Sequence, residues 1–511
     1  MDEKLFTIMS ANPSSAFKHI KSAKSASQVQ VPYITVGNSK YEGEKVVDGF
    51  FDSLSRLKKL DQNKLQSTPH HSSLLQDYEN IKMLCSQKID LPPISLKTSS
   101  DILNSLKPDV NDFYSITPKH FLHAGTAGLV HFNLLLNALI VDINNSTIDE
   151  LNTIFALLLY KGHSKDRTVH SSYRTISTCP LVAKGLDSYV RDIFVDKWNS
   201  KQAPTQYQGQ GSSHELASLL VTEAIQHSKF CTKKPIYLLF LDAESAFDTV
   251  IIPYIVRCLH QSGMEGNSVL YMENRLASRT TFCEFDKVIT GPIHDEQGLE
   301  QGGLSSSDCY KLYNNELLDQ AQQSKLGVEI SNRLVLSAVG QADDTVLLSN
   351  DLSKLQLILQ LTTNYCTKYN VKLSIGKTKL LQLVPPRCPS FVPHNPIKIA
   401  DRCIDFVNEA EHVGVFRSCD GNLPNLLLRI SAFKKALGSL VSCGLSRRQR
   451  SNPKASLRIL TLYRTPVLMS VLASLVLSPG EISSLDQKYK RTVQALLKVS
   501  SKLLVVTLQT L

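Results

Sequence analysis

Three aspartates at two places in the chain carry the most specific chemical signal. Asp242 directly follows PIYLLFL, a continuous apolar run of the length of a buried strand. Asp343 and Asp344 lie in GQADD, between the apolar segments RLVLSAV and TVLLS, a pattern typical of a hairpin with acids at its tip. Two such strands can lie side by side in one sheet and bring their acids together. Because three clustered carboxylates repel one another, a pair of Mg²⁺ ions is the predicted occupant.

Each acid also has a purely structural interpretation. Asp242 alone would cap a helix or mark a turn, and a pair of acids in a turn is usually solvated. Their joint occurrence favours metal binding instead. Two ions held about 3.5–4 Å apart clamp the attacking and leaving oxygens of a phosphoryl transfer, so this is the predicted chemistry.

The elements that must position these acids are predicted from apolar periodicity. Residues 1–100 are rich in Ser, Lys, Gln and Asn, and we expect a polar extension or linker. From Phe113 to about Lys161 apolar residues recur at helical spacing, with Ser146 or Thr147 as N-cap of a second helix, TIDELNTIFALLLYKG. After about Asp420 the pattern is helical and basic.

Charge is distributed unevenly along the 511 residues, whose formal net charge is +10. The segment 421–511 contains fourteen Lys or Arg and only two acids, Glu481 and Asp486. A basic end on a nearly neutral body predicts a polyanionic partner, with a solvated helical face as the alternative. At about 150 residues per domain, the length predicts roughly three domains.

Composition argues against a membrane or secreted protein. The longest apolar run, Pro466 to Leu477, is interrupted by serines and is shorter than the ~20 residues that cross a bilayer. MDEKLFTIMSANPSS has acids where a signal peptide needs basic residues. Eleven cysteines occur singly, without the spacing of a zinc site. We therefore expect synthesis in the cytosol and no membrane span.

The segments before the first aspartate resemble the reverse transcriptase domain of non-LTR (LINE-type, jockey-like) retrotransposons. YKGHSKDRTVHSSYRTIS is similar to the fingers motif of that family, which implies that Lys161 and Arg174 hold the incoming triphosphate. Independently of the resemblance, flexible or forked cations are what a triphosphate requires. QYQGQGSSHELA resembles the next segment, which implies that Gln206, Gly209 and Gly211 lie near template or primer.

The later segments continue the resemblance in the same order. LDAESAFD is similar to the first palm motif, which implies Asp242 as a metal ligand and Phe247 under the nucleotide sugar. GLEQGGLSSS matches the template motif at Gln301 and Gly302.

Three further strings complete it. QADD matches the motif whose acids, here Asp343 and Asp344, complete the metal cluster. LSIGKTKL implies Lys377 as the acid for the departing pyrophosphate, and EHVGV resembles the primer hairpin, centred on Gly414.

Some residues depart from the family pattern. Gln341 replaces an aromatic residue, and Thr175 replaces a proline. The template motif, GLEQGGLSSS, lacks the prolines of the family pattern. These departures leave open a catalytically silent, nucleic-acid-binding remnant of such an element. A second alternative is an intron-encoded or RNA-directed RNA polymerase, but Phe247 disfavours it because a bulky ring would collide with a ribose 2′-hydroxyl.

The resemblance implies an α+β, right-hand polymerase fold with fingers, a palm built on an antiparallel sheet with helices on one face, and a helical thumb. The expected divisions are 1–100 extension, 101–234 fingers, 235–419 palm and 420–511 basic thumb. The implied enzyme is an RNA-directed DNA polymerase that uses two Mg²⁺ ions, with Mn²⁺ as a substitute, and binds an RNA template, a DNA primer and dNTPs. We expect it in the cytoplasm, and in the nucleus when it acts on chromosomal DNA. The first hundred residues are too few and too polar for an endonuclease domain.

Overall fold

The structure is a computed structural model of the chain. It describes residues 31–66, 68, 70–88, 91–141, 151–162, 165–208, 213–286, 288–331, 334–386, 397–399, 401–419, 421–442, 458, 461–462 and 465–497. Ser146, Thr147, Gly209 and Gly211, which the sequence singled out, lie outside these ranges.

Helices and strands alternate irregularly along the described chain, as in an α+β fold. The helices are α1 (Val46–Lys58), α2 (Gln62–Gln66), α3 (His71–Cys85), α4 (Leu96–Ser105), α5 (Pro118–His123), α6 (Gly125–Val141), α7 (Leu181–Ser200), α8 (His214–Gln226), α9 (Ile252–Gln261), α10 (Asn267–Ala277), α11 (Ser306–Gln323), α12 (Leu352–Lys368), α13 (Leu423–Ser442), α14 (Thr465–Met469) and α15 (Pro479–Leu497). The strands are β1 (Tyr33–Val36), β2 (Ser39–Glu42), β3 (Thr153–Tyr160), β4 (Tyr173–Thr178), β5 (Ile236–Leu241), β6 (Thr280–Phe285), β7 (Val288–His294), β8 (Val328–Ser331), β9 (Leu334–Leu336), β10 (Ala338–Gln341), β11 (Asp344–Ser349), β12 (Lys379–Leu383), β13 (Lys398–Ile399), β14 (Arg402–Cys403), β15 (Phe406–Val407), β16 (Glu409–His412) and β17 (Val415–Ser418).

A five-stranded sheet of order β10-β11-β5-β12-β15 forms the centre of the predicted palm. Its pairs are antiparallel except β12 with β15. The predicted hairpin is confirmed, because β10 and β11 pair with Gln341 opposite Asp344 and leave Ala342 and Asp343 as a two-residue turn. Since β11 also pairs with β5, opposing Thr345 to Leu241, the turn and the end of β5 lie at the same edge.

Strand β5 is buried along its whole length. Leu239 and Leu241 face the large helical core, whereas Leu238 and Phe240 face a second core that includes Val221 of α8. Helices on one face only were expected, and this expectation is wrong. The cause is visible in the sequence, because a continuous apolar run without alternation has no face for solvent.

A second sheet, of order β4-β3-β6-β7, belongs to the predicted fingers. Its strand β3 corrects the prediction of a helix through TIFALLLY. Ile154, Phe155 and Ala156 are buried, and β3 pairs with β4 on one side and with β6 on the other. A short apolar run has no periodicity that separates helix from strand, so the pairing partners decide it.

The described residues of the region expected to be a linker include strands β1 and β2 and helices α1, α2 and α3. Helix α1 packs Val46, Phe50 and Leu54 against the fingers sheet, and Gln297 Nε2 donates to the carbonyl oxygen of Leu57 at 2.9 Å. The linker prediction is therefore wrong for this part. Its apolar residues do recur at helical spacing, but in a short stretch among Ser, Lys and Asp that hides the pattern.

The described part of the basic end is helical, as α13, α14 and α15. It follows the hairpin β16–β17, in which His412 pairs with Val415 around a turn at Val413 and Gly414, both with positive φ. This confirms the hairpin predicted around Gly414. Among the described helices, none combines the length and apolarity that a membrane span requires.

Candidate active site

Asp242 leaves β5 at the edge that the β10–β11 turn shares. Its backbone is held by the segment before β12, because the Ser374 N–H donates to the Asp242 carbonyl oxygen at 2.8 Å. Ser374 begins a helical turn that carries Lys377, and Lys377 Nζ donates to Asp242 Oδ2 at 3.0 Å. Lys377 and Asp242 therefore form an ion pair that is largely exposed on the lysine side.

The turn that carries Asp343 is fixed by two side chains from other elements. Ala342 has a φ of 59°, which non-glycine residues rarely adopt. Its N–H donates to Gln206 Oε1 at 3.0 Å, and its carbonyl oxygen accepts from Asn314 Nδ2 at 3.3 Å. Buried contacts on both sides of the peptide thus maintain a backbone conformation that would otherwise be unfavourable.

Neighbouring charges shift the pKa values of both acids at the turn. The pKa of Asp344 is raised to about 6, first by desolvation and then by the charges of Asp343 and Asp242. The pKa of Asp343 is raised mainly by desolvation and also by Asp242, while Arg174 lowers it. Both residues remain exposed, so they are accessible to solvent rather than enclosed in the core.

The three carboxylates suit a divalent cation in donor type and charge. Repulsion among like charges contributes to the raised pKa values of Asp343 and Asp344, and a cation would relieve it. Within the described ranges, however, no group of three His, Cys, Asp or Glu side chains is gathered closely enough to bind a metal ion. Asp242 points its Oδ2 atom at Lys377 instead. Metal binding by this trio would therefore require Asp242 to leave Lys377.

A cleft of about 760 Å³ lies between the fingers sheet and the palm. Four of the residues predicted to contact substrate or the leaving group line it, namely Lys161, Arg174, Gln301 and Lys377. Lys161 Nζ donates to the Ser171 carbonyl oxygen at 2.8 Å. The pKa of Lys161 is lowered, first by desolvation and then by the charges of Lys165, Arg174 and Lys377. Mutual repulsion among the cations favours an anionic occupant.

Gln301 and Gly302 join the palm to the fingers. The Gln301 carbonyl oxygen accepts from the Ser177 N–H at 2.8 Å, and its Nε2 lies 3.4 Å from Asp248 Oδ2. Gly302 has a φ of 110°, and a Cβ there would approach the Ser177 carbonyl oxygen at 3.2 Å. A glycine is therefore required where this loop passes the edge of β4.

Phe247 follows Asp242 by five residues and is half-buried. Its ring stacks on Tyr310, with centroids 4.7 Å apart. Tyr310 is itself close enough to Asp343 for the carboxylate to raise its pKa further, beyond the larger effect of burial. One face of Phe247 is thus committed to the core, while the side chain as a whole remains partly accessible.

Several residues of this region were missed by sequence reasoning. Arg56, Lys165 and His170 also line the cleft, and Asn314 supports the catalytic turn. Arg56 lies on α1, in the segment interpreted as a linker, and Asn314 lies within a helix without any motif. Lys165 and His170 lie inside the fingers string, so the positive charge of that string was the one available signal.

Comparisons with known proteins agree with this architecture. Residues 162–407 match the family described as reverse transcriptase (RNA-dependent DNA polymerase). The retrovirus-related Pol polyprotein from type-2 retrotransposable element R2DM of Drosophila melanogaster is 25% identical over 183 residues, which is 35% of this chain and 16% of that protein. The transposon TX1 uncharacterized 149 kDa protein of Xenopus laevis is 27% identical over 143 residues, which is 27% of this chain and 11% of that protein.

Among solved structures, apo telomerase from Candida tropicalis, truncated from its C-terminal domain, aligns with 81% of this chain and 87% of its own. The TM-score is 0.38 at 11% identity. At that score, the similarity does not by itself establish a shared fold.

The palm sheet, the aspartates at its edge and the family match define a templated polymerase domain. The resemblance seen in the sequence is therefore confirmed, as is the α+β right-hand polymerase fold that it implied. Residues 162–407 match the reverse transcriptase family, and the similar curated proteins come from a retrotransposable element and a transposon. The chain spans less than a fifth of the length of those relatives. The domain boundaries given above stay predictions.

Proposed function

We propose that this chain is an RNA-directed DNA polymerase of a non-LTR retrotransposon. A primer 3′-hydroxyl attacks the α-phosphorus of a deoxynucleoside triphosphate, an RNA template selects the base, and pyrophosphate leaves. The observation that carries the proposal is the common edge of β5 and β11. There the charges of Asp242 and Asp343 raise the pKa of Asp344, near a cleft lined by cations.

Each side chain has a task in this reaction. Lys161 and Arg174 bind the triphosphate, whose negative charge relieves the repulsion between them. Gln301 and Gly302 position the template base and nucleotide, because they connect the palm loop to β4 of the fingers. Phe247 supports the sugar.

The three aspartates would hold two divalent cations, for which we propose Mg²⁺ with Mn²⁺ as a substitute. Such ions supply charge stabilisation for the attacking and leaving oxygens. Lys377 Nζ releases Asp242 and becomes available to donate a proton to the departing pyrophosphate. The Lys377–Asp242 pair is therefore a resting arrangement that neutralises Asp242 before substrate arrives.

A template and nucleotide comparison tests the proposal. The full chain is incubated with oligo(dT) on poly(rA) or poly(dA), and with dTTP or UTP. Extension on poly(rA) with dTTP, at higher efficiency than with UTP, is the expected result. Binding of the primer–template without any extension, under Mg²⁺ and Mn²⁺, would instead identify a silent nucleic-acid-binding remnant. Preferential use of UTP would identify an RNA polymerase.

A further inference from the structure

A buried arginine lies where the β16–β17 hairpin meets the palm. Arg417, on β17, is 5% exposed. One of its terminal nitrogens donates to Thr222 Oγ1 at 2.7 Å, and the other donates to the carbonyl and hydroxyl oxygens of Ser218 at 2.7 and 2.8 Å. Among the described residues, no carboxylate lies within 4.0 Å of it. Burial lowers its pKa to about 10, so it remains a cation at neutral pH.

The same two side chains of α8 also hold the base of the thumb. Ser218 Oγ lies 2.9 Å from Ser474 Oγ, and Thr222 Oγ1 donates to the Ser474 carbonyl oxygen at 2.7 Å. Ser474 is 1% exposed and lies between α14 and α15. One cluster of buried hydrogen bonds therefore joins β17, α8 and the segment between the last two thumb helices.

The hairpin also contacts the thumb directly. The Asn425 side chain of α13 exchanges hydrogen bonds with both backbone groups of Phe416, at 2.8 and 2.7 Å, and Arg429 donates to the Gly414 carbonyl oxygen at 2.9 Å. On the opposite strand, Glu411 is close enough to raise the pKa of Asp344. The hairpin is thus placed between the thumb and the aspartates.

Stability alone does not explain an arginine at this position. A buried charge without a counterion carries a desolvation cost, and apolar side chains of similar volume are often as stable or more stable in such places. What a planar guanidinium provides is a fixed fork that reaches two partners at once, which neither methionine nor lysine can reproduce.

We propose that Arg417 is a positioning residue that locks the hairpin and the thumb base onto α8, so that the duplex stays in register with the aspartates between additions. This inference rests on the proposed polymerase function. It predicts an effect on retention of the primer–template, and little effect on the chemical step once the primer–template is bound.

The first test compares Arg417→Met with Arg417→Lys. For Arg417→Met we expect an unchanged or higher Tm and a single-turnover rate at saturating primer–template within about twofold of wild type. Dissociation of the primer–template should be about tenfold faster, because the variant lacks the charge-assisted hydrogen bonds that fix the thumb. Arg417→Lys should be intermediate. Thr362→Val is the control, because it removes a buried, hydrogen-bonded hydroxyl inside α12, away from the hairpin and thumb contacts. It should not alter dissociation. Dissociation that is unchanged, or that accelerates only together with a fall in Tm, would overturn the proposal.

The second test fixes the thumb base to α8 covalently. Because the hydroxyl oxygens of Ser218 and Ser474 are 2.9 Å apart, cysteines at both positions can form a disulfide after a small adjustment. In the Arg417→Met background, diamide oxidation should slow dissociation towards the wild-type rate, and dithiothreitol should reverse this. Ser474→Cys alone should show neither effect. A crosslink verified by mass that leaves dissociation fast would show that the lock lies elsewhere.

Dissociation is measured with a labelled primer–template in EDTA, so it does not depend on catalysis. If the wild-type chain binds but never extends primers, the proposed function fails. Arg417 is still tested by the same dissociation rates.

Discussion

Phe247 is the residue that should select the sugar of the incoming nucleotide. A ribose 2′-hydroxyl pressed against its ring would lose water without gaining a partner, at a cost of roughly 1–3 kcal/mol before any clash. We predict that Phe247→Val retains dTTP incorporation and increases UTP incorporation about ten- to hundredfold.

The structure also supplies the competing interpretation, because the ring stacks on Tyr310 in the core. If Phe247 only packs there, Phe247→Val should lower Tm and reduce both activities together. Tyr310→Phe keeps the stacked ring and serves as the control, with an unchanged nucleotide ratio. An active, well-folded Phe247→Val variant whose ratio of UTP to dTTP incorporation equals that of wild type would refute this role in sugar selection.

Asp344 should determine how stability and Mg²⁺ binding depend on pH. Its folded-state pKa of about 6 exceeds the ordinary value of 3.8, so its ionisation destabilises the metal-free fold. The contribution of Asp344 to the free energy of unfolding should therefore be greatest below pH 3.8 and decline as pH rises to about 6. Protons and cations compete for the carboxylate, so the half-saturating Mg²⁺ concentration should rise by up to about tenfold per pH unit below pH 6.

Titration of the single-turnover rate with Mg²⁺ at several pH values measures this competition. Melting of the metal-free protein measures the effect on stability, and Asp344→Asn should flatten the melting profile between pH 4 and 7. A half-saturating Mg²⁺ concentration that does not change with pH in that range would contradict the assignment of Asp344 as a metal ligand.

At the scale of elements, the turn between β10 and β11 depends on Gln206. Gln206→Leu leaves the buried Ala342 N–H without its acceptor, which should cost about 1–3 kcal/mol in the free energy of unfolding. Because the turn then no longer holds Asp343, the single-turnover rate should also fall, by about tenfold or more.

Gln297→Leu is the matched control for that prediction. Gln297 is another buried glutamine whose amide binds main-chain groups, the carbonyl oxygens of Leu57 and Lys59, without contacting the acids. Gln297→Leu should lower the free energy of unfolding by a similar amount and leave the single-turnover rate nearly unchanged. Equal rate losses in both variants would mean that Gln206 acts only through stability.

Elements differ in how far sequence predicts them. Strand β5 and the Asp343 turn were predictable because an uninterrupted apolar run and a short polar break have few other structural solutions. Strand β3 was not predictable from local sequence, because pairing rather than periodicity determines its conformation. One of its partners, β6, is more than a hundred residues away. Arg56 reaches the cleft only because α1 packs on the fingers sheet, a tertiary contact that no local pattern encodes.

At the scale of the whole molecule, the basic thumb should provide much of the affinity for nucleic acid. Neutralising its exposed cations Lys434, Lys435, Lys488 and Arg491 to Gln should reduce the slope of log K against log salt by up to about 0.9 for each phosphate that the thumb no longer neutralises. Exposed lysines of other regions, Lys97, Lys229, Lys325 and Lys354, provide a control of equal charge. Equal slopes for the two quadruple variants would show that the thumb has no special part in binding.

The acids at the edge of β5 and β11 should perform the chemistry, and the variant Asp343→Asn tests their role. A neutral amide cannot take the place of a carboxylate between cations. Because the substitution also removes repulsion among the acids, the metal-free fold should be as stable as wild type or more stable. Extension of oligo(dT) on poly(rA) with dTTP and Mg²⁺ should be abolished, while Tm and primer–template affinity stay close to wild type. If Asp343→Asn extends primers at the wild-type rate, these acids do not perform the chemistry.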